Sequence, residues 1–94
     1  MGTISARASC IAMVVVLKTI AELKGINPSN INMSDKIGPD LRIGIEDRLE
    51  IAEFGINIQE AIGFDFSLNA IPDIEIIFES TVEQVIKYVA FHLS

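Results

Sequence analysis

The sequence predicts an all-α fold, a four-helix bundle with a long first loop and a short third helix, formed by residues 1–94 as a single domain. Three observations predict it. Apolar residues recur at three- and four-residue spacing in separate stretches near the start, in the middle and at the end of the chain, which gathers side chains on one face of a helix. Glycine and proline cluster between those stretches, where turns are needed. Half of the 94 residues are apolar and 21% are charged, a balance that fits one packed core and is too hydrophobic for a disordered chain.

The first helix is expected over Ser5 to Lys24, with Met13, Val16, Leu17, Ile20 and Leu23 on one face. Ile11, Val14 and Val15 lie off that stripe, so this helix is apolar on more than one side. It either sits centrally in the core, the commoner arrangement, or meets a partner. Gly25 follows as a terminator suited to positive φ, and Asn27, Pro28, Ser29 and Asn30 supply turn chemistry. Residues 31–44 keep no period and contain Gly38, Pro39 and Gly44, which predicts a long structured loop pinned by Ile31, Met33, Ile37 and Leu41.

Asp47 to Phe54 reads as helix, with Glu46, Asp47, Glu50 and Glu53 outward and Leu49, Ala52 and Ile56 inward. Gly55 costs a helix interior about 1 kcal/mol relative to alanine, and Ile56 to Gln59 alternate as a strand would. Continuing the helix sets Phe54, Ile58, Ile62 and Phe66 at four-residue spacing. That reading is preferred because no second alternating segment exists to pair with a strand. Ser67 to Asp73 is a loop, and a short helical turn follows around Ile74 to Phe78. In the last helix Ser80 is expected to cap the N-terminus with Glu83 reaching back in a capping box. Val82, Val85, Ile86, Val89 and Leu93 form its buried stripe, while Glu83, Gln84 and Lys87 are exposed. Tyr88 and Phe91 are assigned to the core, as aromatics at helical spacing usually are.

The formal net charge is −6, and eleven acids lie between Asp40 and Glu83 against two bases, Arg42 and Arg48. Such a field argues against nucleic acid and anionic membrane as partners and favours basic protein surfaces. Acids of this density also serve simply to keep a small apolar domain soluble. With one cysteine, Cys10, and one histidine, His92, neither an intramolecular disulfide nor a Cys/His metal cluster can be assembled. The simplest setting is reducing and cytoplasmic. The apolar run Cys10 to Leu17 stops at Lys18, short of the roughly 20 residues of a spanning helix, and no small-residue cleavage site follows it. Cys10 itself is read as packed rather than reactive, no carboxylate pair stands out, and no enzymatic activity is predicted.

Two stretches resemble the acyl carrier protein family. One runs Gly25-Ile26-Asn27-Pro28-Ser29-Asn30-Ile31 and then Lys36-Ile37-Gly38-Pro39-Asp40-Leu41, similar to the family's glycine after its first helix, its loop hydrophobe and the Asp-Leu pair before its second helix. The other is Ile71-Pro72-Asp73 followed by Ser80-Thr81-Val82-Glu83-Gln84-Val85-Ile86-Lys87-Tyr88-Val89, similar to the family's Ile-Pro-Asp loop and the Thr-Val opening of its last helix. The resemblance implies a protein that catalyses nothing, tethers an acyl thioester on 4′-phosphopantetheine and presents it to enzymes of fatty-acid or polyketide type synthesis. Here the chain departs from the family. Carriers attach that arm to the serine of an Asp-Ser-Leu motif opening the second helix, and an ungapped extension from Asp40-Leu41 places Gly44-Ile45-Glu46 there. The chain from Asp47-Arg48-Leu49-Glu50-Ile51 to Ile71-Pro72-Asp73 is also longer than the family's. Asp65-Phe66-Ser67-Leu68 is the motif with one phenylalanine inserted, but fifteen residues from Ser67 to Val82 leave no room for two helices, so Ser67 is read as a loop residue.

Two functions remain open on this reading. The first is a carrier-like protein that docks basic patches of synthase or transferase enzymes through Glu46, Asp47, Glu50 and Glu53, with its pantetheine attachment residue unassigned. The alternative is a serine-free homologue of the carrier fold acting as a protein-binding module or complex subunit. In either case the chain is read as a monomer.

Overall fold

A computed structural model of the chain describes residues 6–63 and 74–93. Helix α1 spans Ala6–Lys24, and its inward face is Ala8, Ala12, Val16 and Ile20, all buried at a spacing of four. The buried face is thus rotated from the expected stripe, because Met13 is exposed and Leu17 and Leu23 are only half-buried. Small side chains at Ala8 and Ala12 suit the close approach of the last helix, α4 (Val82–Leu93), which is the main packing partner of α1. Ile11 and Val14, off that stripe, face outward, and Val14 is 59% exposed, so of the two arrangements open to an all-round apolar helix the central one is not adopted. Cys10 is exposed as well, which corrects its assignment as a packed thiol. The helix ends where Gly25 takes φ +67° and the Ile26 N–H reaches the Ala21 carbonyl at 3.1 Å, a closure that satisfies one of the last orphan carbonyls.

A single 3₁₀ turn, Pro28–Asn30, follows, with Asn27 Oδ1 accepting the Ser29 N–H at 3.0 Å. The long loop beyond it is pinned by buried Ile31, Ile37 and Ile43 and half-buried Leu41. Ile43 takes the place expected of Met33, which is exposed. The loop also closes the start of α4. Asp35 and Met33 carbonyls accept the Val82 and Glu83 N–H groups at 2.8 and 3.0 Å. Ile37 and Gly38 N–H groups return bonds to the Ser80 and Phe78 carbonyls at 2.8 and 2.9 Å. The result is one isolated antiparallel bridge, Lys36 with Thr81, and no strand among the described residues.

Helix α2 spans Leu49–Ile62 and passes through Gly55 unbroken. The helical continuation is therefore correct, with Ile51, Phe54 and Ile58 buried and Ile62 half-buried; Phe66 lies outside the described residues. The expected inward set is not. Leu49 is 72% exposed and Ile56 49%, because the stripe through Phe54 and Ile58 meets α1 and places Leu49 and Ile56 on the opposite side of the cylinder. Gly63, at φ +80°, ends the helix with its N–H on the Gln59 carbonyl.

Helix α3, Ile74–Glu79, contributes buried Ile77 and half-buried Phe78. Ser80 is buried and finishes this helix, its Oγ donating to the Ile76 carbonyl at 2.6 Å. It does not cap α4. The capping box lies one residue later, where Thr81 Oγ1 accepts the Gln84 N–H at 3.2 Å and Gln84 Oε1 accepts the Thr81 N–H at 2.8 Å. Val82, Val85, Val89 and Ala90 are the buried face of α4. Tyr88 and Phe91 are exposed, Phe91 at 57%, against their assignment to the core. At 100° per residue the Val85–Val89 face toward α1 leaves them on the outer side.

Candidate functional site

The acids singled out in the sequence lie where the loop turns into α2. Residues 42–48 make a turn with two left-handed positions, Arg42 at φ +62° and Gly44 at φ +84°. A non-glycine residue at positive φ persists only where its surroundings enforce it. Here the enforcement is visible. Glu50 Oε1 accepts the Gly44 N–H at 2.8 Å, its other oxygen pairs with Lys24 Nζ at 3.5 Å, and the same ammonium donates to the Arg42 carbonyl at 3.2 Å. Three segments, the end of α1, the turn and the first turn of α2, are tied at one point. Asp47 Oδ1 accepts the Leu49 N–H at 3.0 Å and so satisfies an orphan donor at the helix start. The Arg48 guanidinium sits 4.4 Å from the centre of the Phe78 ring, a cation–π contact that joins the same end of α2 to α3.

This scaffold sorts the four predicted residues. Glu46, Asp47 and Glu53 are exposed on one surface. Glu50 is half-buried and committed to Gly44 and Lys24. Sequence reasoning missed the apolar members of the surface, exposed Ile45, Leu49 and Ile56. The signal that finds them is helical phase: once Phe54, Ile58 and Ile62 are taken as the inward row, Leu49 and Ile56 fall on the outer one with Glu53 and Glu60. Leu49, Glu53, Ile56 and Glu60 thus alternate along the outer ridge of α2 at i, i+4, i+7 and i+11.

The residues that the carrier resemblance would set at the attachment position, Gly44 to Glu46, do not fit a pantetheine arm. Ile45 has no hydroxyl to esterify, and Gly44 and Glu46 beside it have none either. Among the described serines, Ser80 is buried, Ser9 is half-buried, Ser29 Oγ donates to Asn27 Oδ1, and Ser34 is exposed in the long loop without a leucine after it; Ser67 lies outside the described residues. Among the described residues no group of three His, Cys, Asp or Glu side chains is placed to hold a metal ion, and no helix is long and apolar enough to cross a membrane.

No family model, curated protein or solved structure matches this chain. The chemistry of the surface must therefore be read from its own side chains. A ridge of exposed leucine and isoleucine between carboxylates offers apolar area to desolvate and negative charge to pair. It holds no nucleophile. Its complement is a surface with an apolar recess bordered by lysine or arginine.

Proposed function

We propose that this protein is an acyl-carrier-protein-like docking module that presents the start of α2 to basic surfaces of acyl-transferring or synthase enzymes, without an arm at the family's serine position. The observation that carries the reading is the exposed, mixed surface of Ile45, Glu46, Asp47, Leu49 and Glu53. A leucine 72% exposed on an ordered helix is a costly way to fill a solvated face and a good anchor for a partner. The resemblance of the flanking segments to acyl carrier proteins supplies the class of partner. Ile45 in place of the modified serine favours binding over carrying.

Incubation with a phosphopantetheinyl transferase and coenzyme A, followed by an intact mass, tests the missing arm. The expected result is an unchanged mass; an adduct, mapped to its residue, restores the carrying function and names its site. Docking is tested by titrating the protein against a purified condensing enzyme of fatty-acid synthesis. Leu49→Ala and Glu53→Lys are expected to weaken binding by about tenfold or more each. Equal affinity of wild type and both variants would remove α2 from the interface.

A further inference from the structure

The geometry points to Glu50 and Lys24 as positioning residues for the docking surface rather than members of it. This inference rests on the docking reading for its functional consequence and on the turn's own hydrogen bonds for its mechanism. Glu50 lies in the sequence between Asp47 and Glu53 and looks like one more acid on the same face. Its carboxylate instead faces inward, with one oxygen on the Gly44 N–H at 2.8 Å and the other on Lys24 at 3.5 Å, both side chains only 26% exposed. Lys24 extends the tie to the Arg42 carbonyl at 3.2 Å. The two backbone groups held in this way belong to the two left-handed residues of the turn, Arg42 and Gly44. Ile45, Glu46 and Asp47 follow directly, so the direction in which they project depends on that pair of left-handed positions staying formed. Lys24 is the last residue of α1, so the tie also fixes the turn to the bundle rather than to α2 alone.

Two substitutions separate positioning from contact, one because its charge and positioning effects have opposite signs and the other because the two roles predict losses of different size. Lys24→Met makes an acidic protein more acidic, from a formal −6 to −7 on removal of one positive charge. Simple attraction to a basic partner then predicts equal or tighter binding; a broken tie predicts weaker binding. Glu50→Gln removes a negative charge but keeps an oxygen for the Gly44 N–H, so it is expected to cost less binding than Glu53→Gln, whereas a contact role predicts the same loss.

The experiment combines affinity for the condensing enzyme with amide hydrogen exchange of Arg42, Ile43 and Gly44, whose N–H groups are bonded to the Gly38 and Ile37 carbonyls and the Glu50 carboxylate, read residue by residue in the full chain. In Lys24→Met those amides are expected to exchange up to about fivefold faster, the scale of a part-exposed ion pair, with binding weakened to match. In Glu50→Ala, which also removes the Gly44 acceptor, the exchange is expected to rise by about tenfold or more. Unchanged exchange in both variants would overturn the positioning role whatever the affinities are. Faster exchange with no binding by the wild-type protein would retain the tie and discard the docking reading instead. Tighter binding of Lys24→Met would show that Lys24 only opposes the partner's charge, and would overturn the functional half of the inference.

Discussion

Gly38 shows how a single position is fixed by a neighbour far along the chain. A Cβ placed on it would overlap the Phe78 ring, including the ring's first carbon, so the side chain cannot simply swing its tip away. The Gly38 N–H also donates to the Phe78 carbonyl, which holds the two backbones at one distance. Gly38→Ala is therefore expected to destabilise the fold by about 1–3 kcal/mol, the range for overpacking a well-filled core, measured by urea or thermal denaturation. An unchanged midpoint would mean that the loop does not pack on α3 as described. This requirement was invisible in the sequence, where Gly38-Pro39 reads only as turn chemistry. Glu50 was equally opaque. Its residue type and spacing match Glu46 and Glu53, and only the left-handed turn in front of it reveals that its carboxylate has backbone to hold.

At the scale of elements, helix existence was legible and helix phase only in part. The apolar spacing correctly gave α1, α2 and α4, and Gly25 marked its terminus correctly. Phase was partly right in α1, where Val16 and Ile20 are buried but Met13 is exposed, and in α2, where the Phe54–Ile58 row is buried while Leu49 and Ile56 face outward. Both helices have apolar residues on more than one face, so the sequence alone does not say which row meets the neighbours. In α4 the row was unambiguous for its valines, and Val82, Val85 and Val89 are buried as expected. Its cap was displaced by one residue, because Ser80 has a closer acceptor in the Ile76 carbonyl of the preceding helix. The capping box therefore predicts a contrast. Thr81→Ala and Gln84→Ala are each expected to lower stability by about 0.5–2 kcal/mol, while Glu83→Ala, whose side chain is exposed, is expected to stay within about 0.5 kcal/mol of wild type. Equal effects at positions 83 and 84 in the same denaturation series would return the cap to the earlier residue.

For the molecule as a whole, the radius of gyration of 12.1 Å matches the roughly 12 Å expected of a compact chain of this length. Apolar side chains from α1, α2, α3, α4 and the long loop meet in one buried cluster. On that body a formal charge of −6 has two opposed consequences. Self-repulsion weakens the folded state, and on the docking reading proposed above the same field attracts a basic partner. Raising sodium chloride from about 0.05 to 0.5 M shortens the screening length below the ~10 Å of 0.1 M salt, so the melting temperature is expected to rise slightly while affinity for a basic partner falls. Calorimetry and the condensing-enzyme titration read the two effects separately. Salt-independent affinity would mean that exposed Leu49 and Ile45 dominate the interface and the carboxylates do not.

By itself the sequence determined the helical class, the order of the elements and the acidic character of the middle, because spacing, punctuation and charge are local properties of the chain. Which face of each helix is buried, which serine or threonine caps, and which of four similar acids turns inward were decided only by tertiary structure. Each depends on a neighbour distant in sequence: Phe78 against Gly38, Ile76 beneath Ser80, and Lys24 beside Glu50. A one-dimensional pattern carries no information on those meetings until the helices are packed.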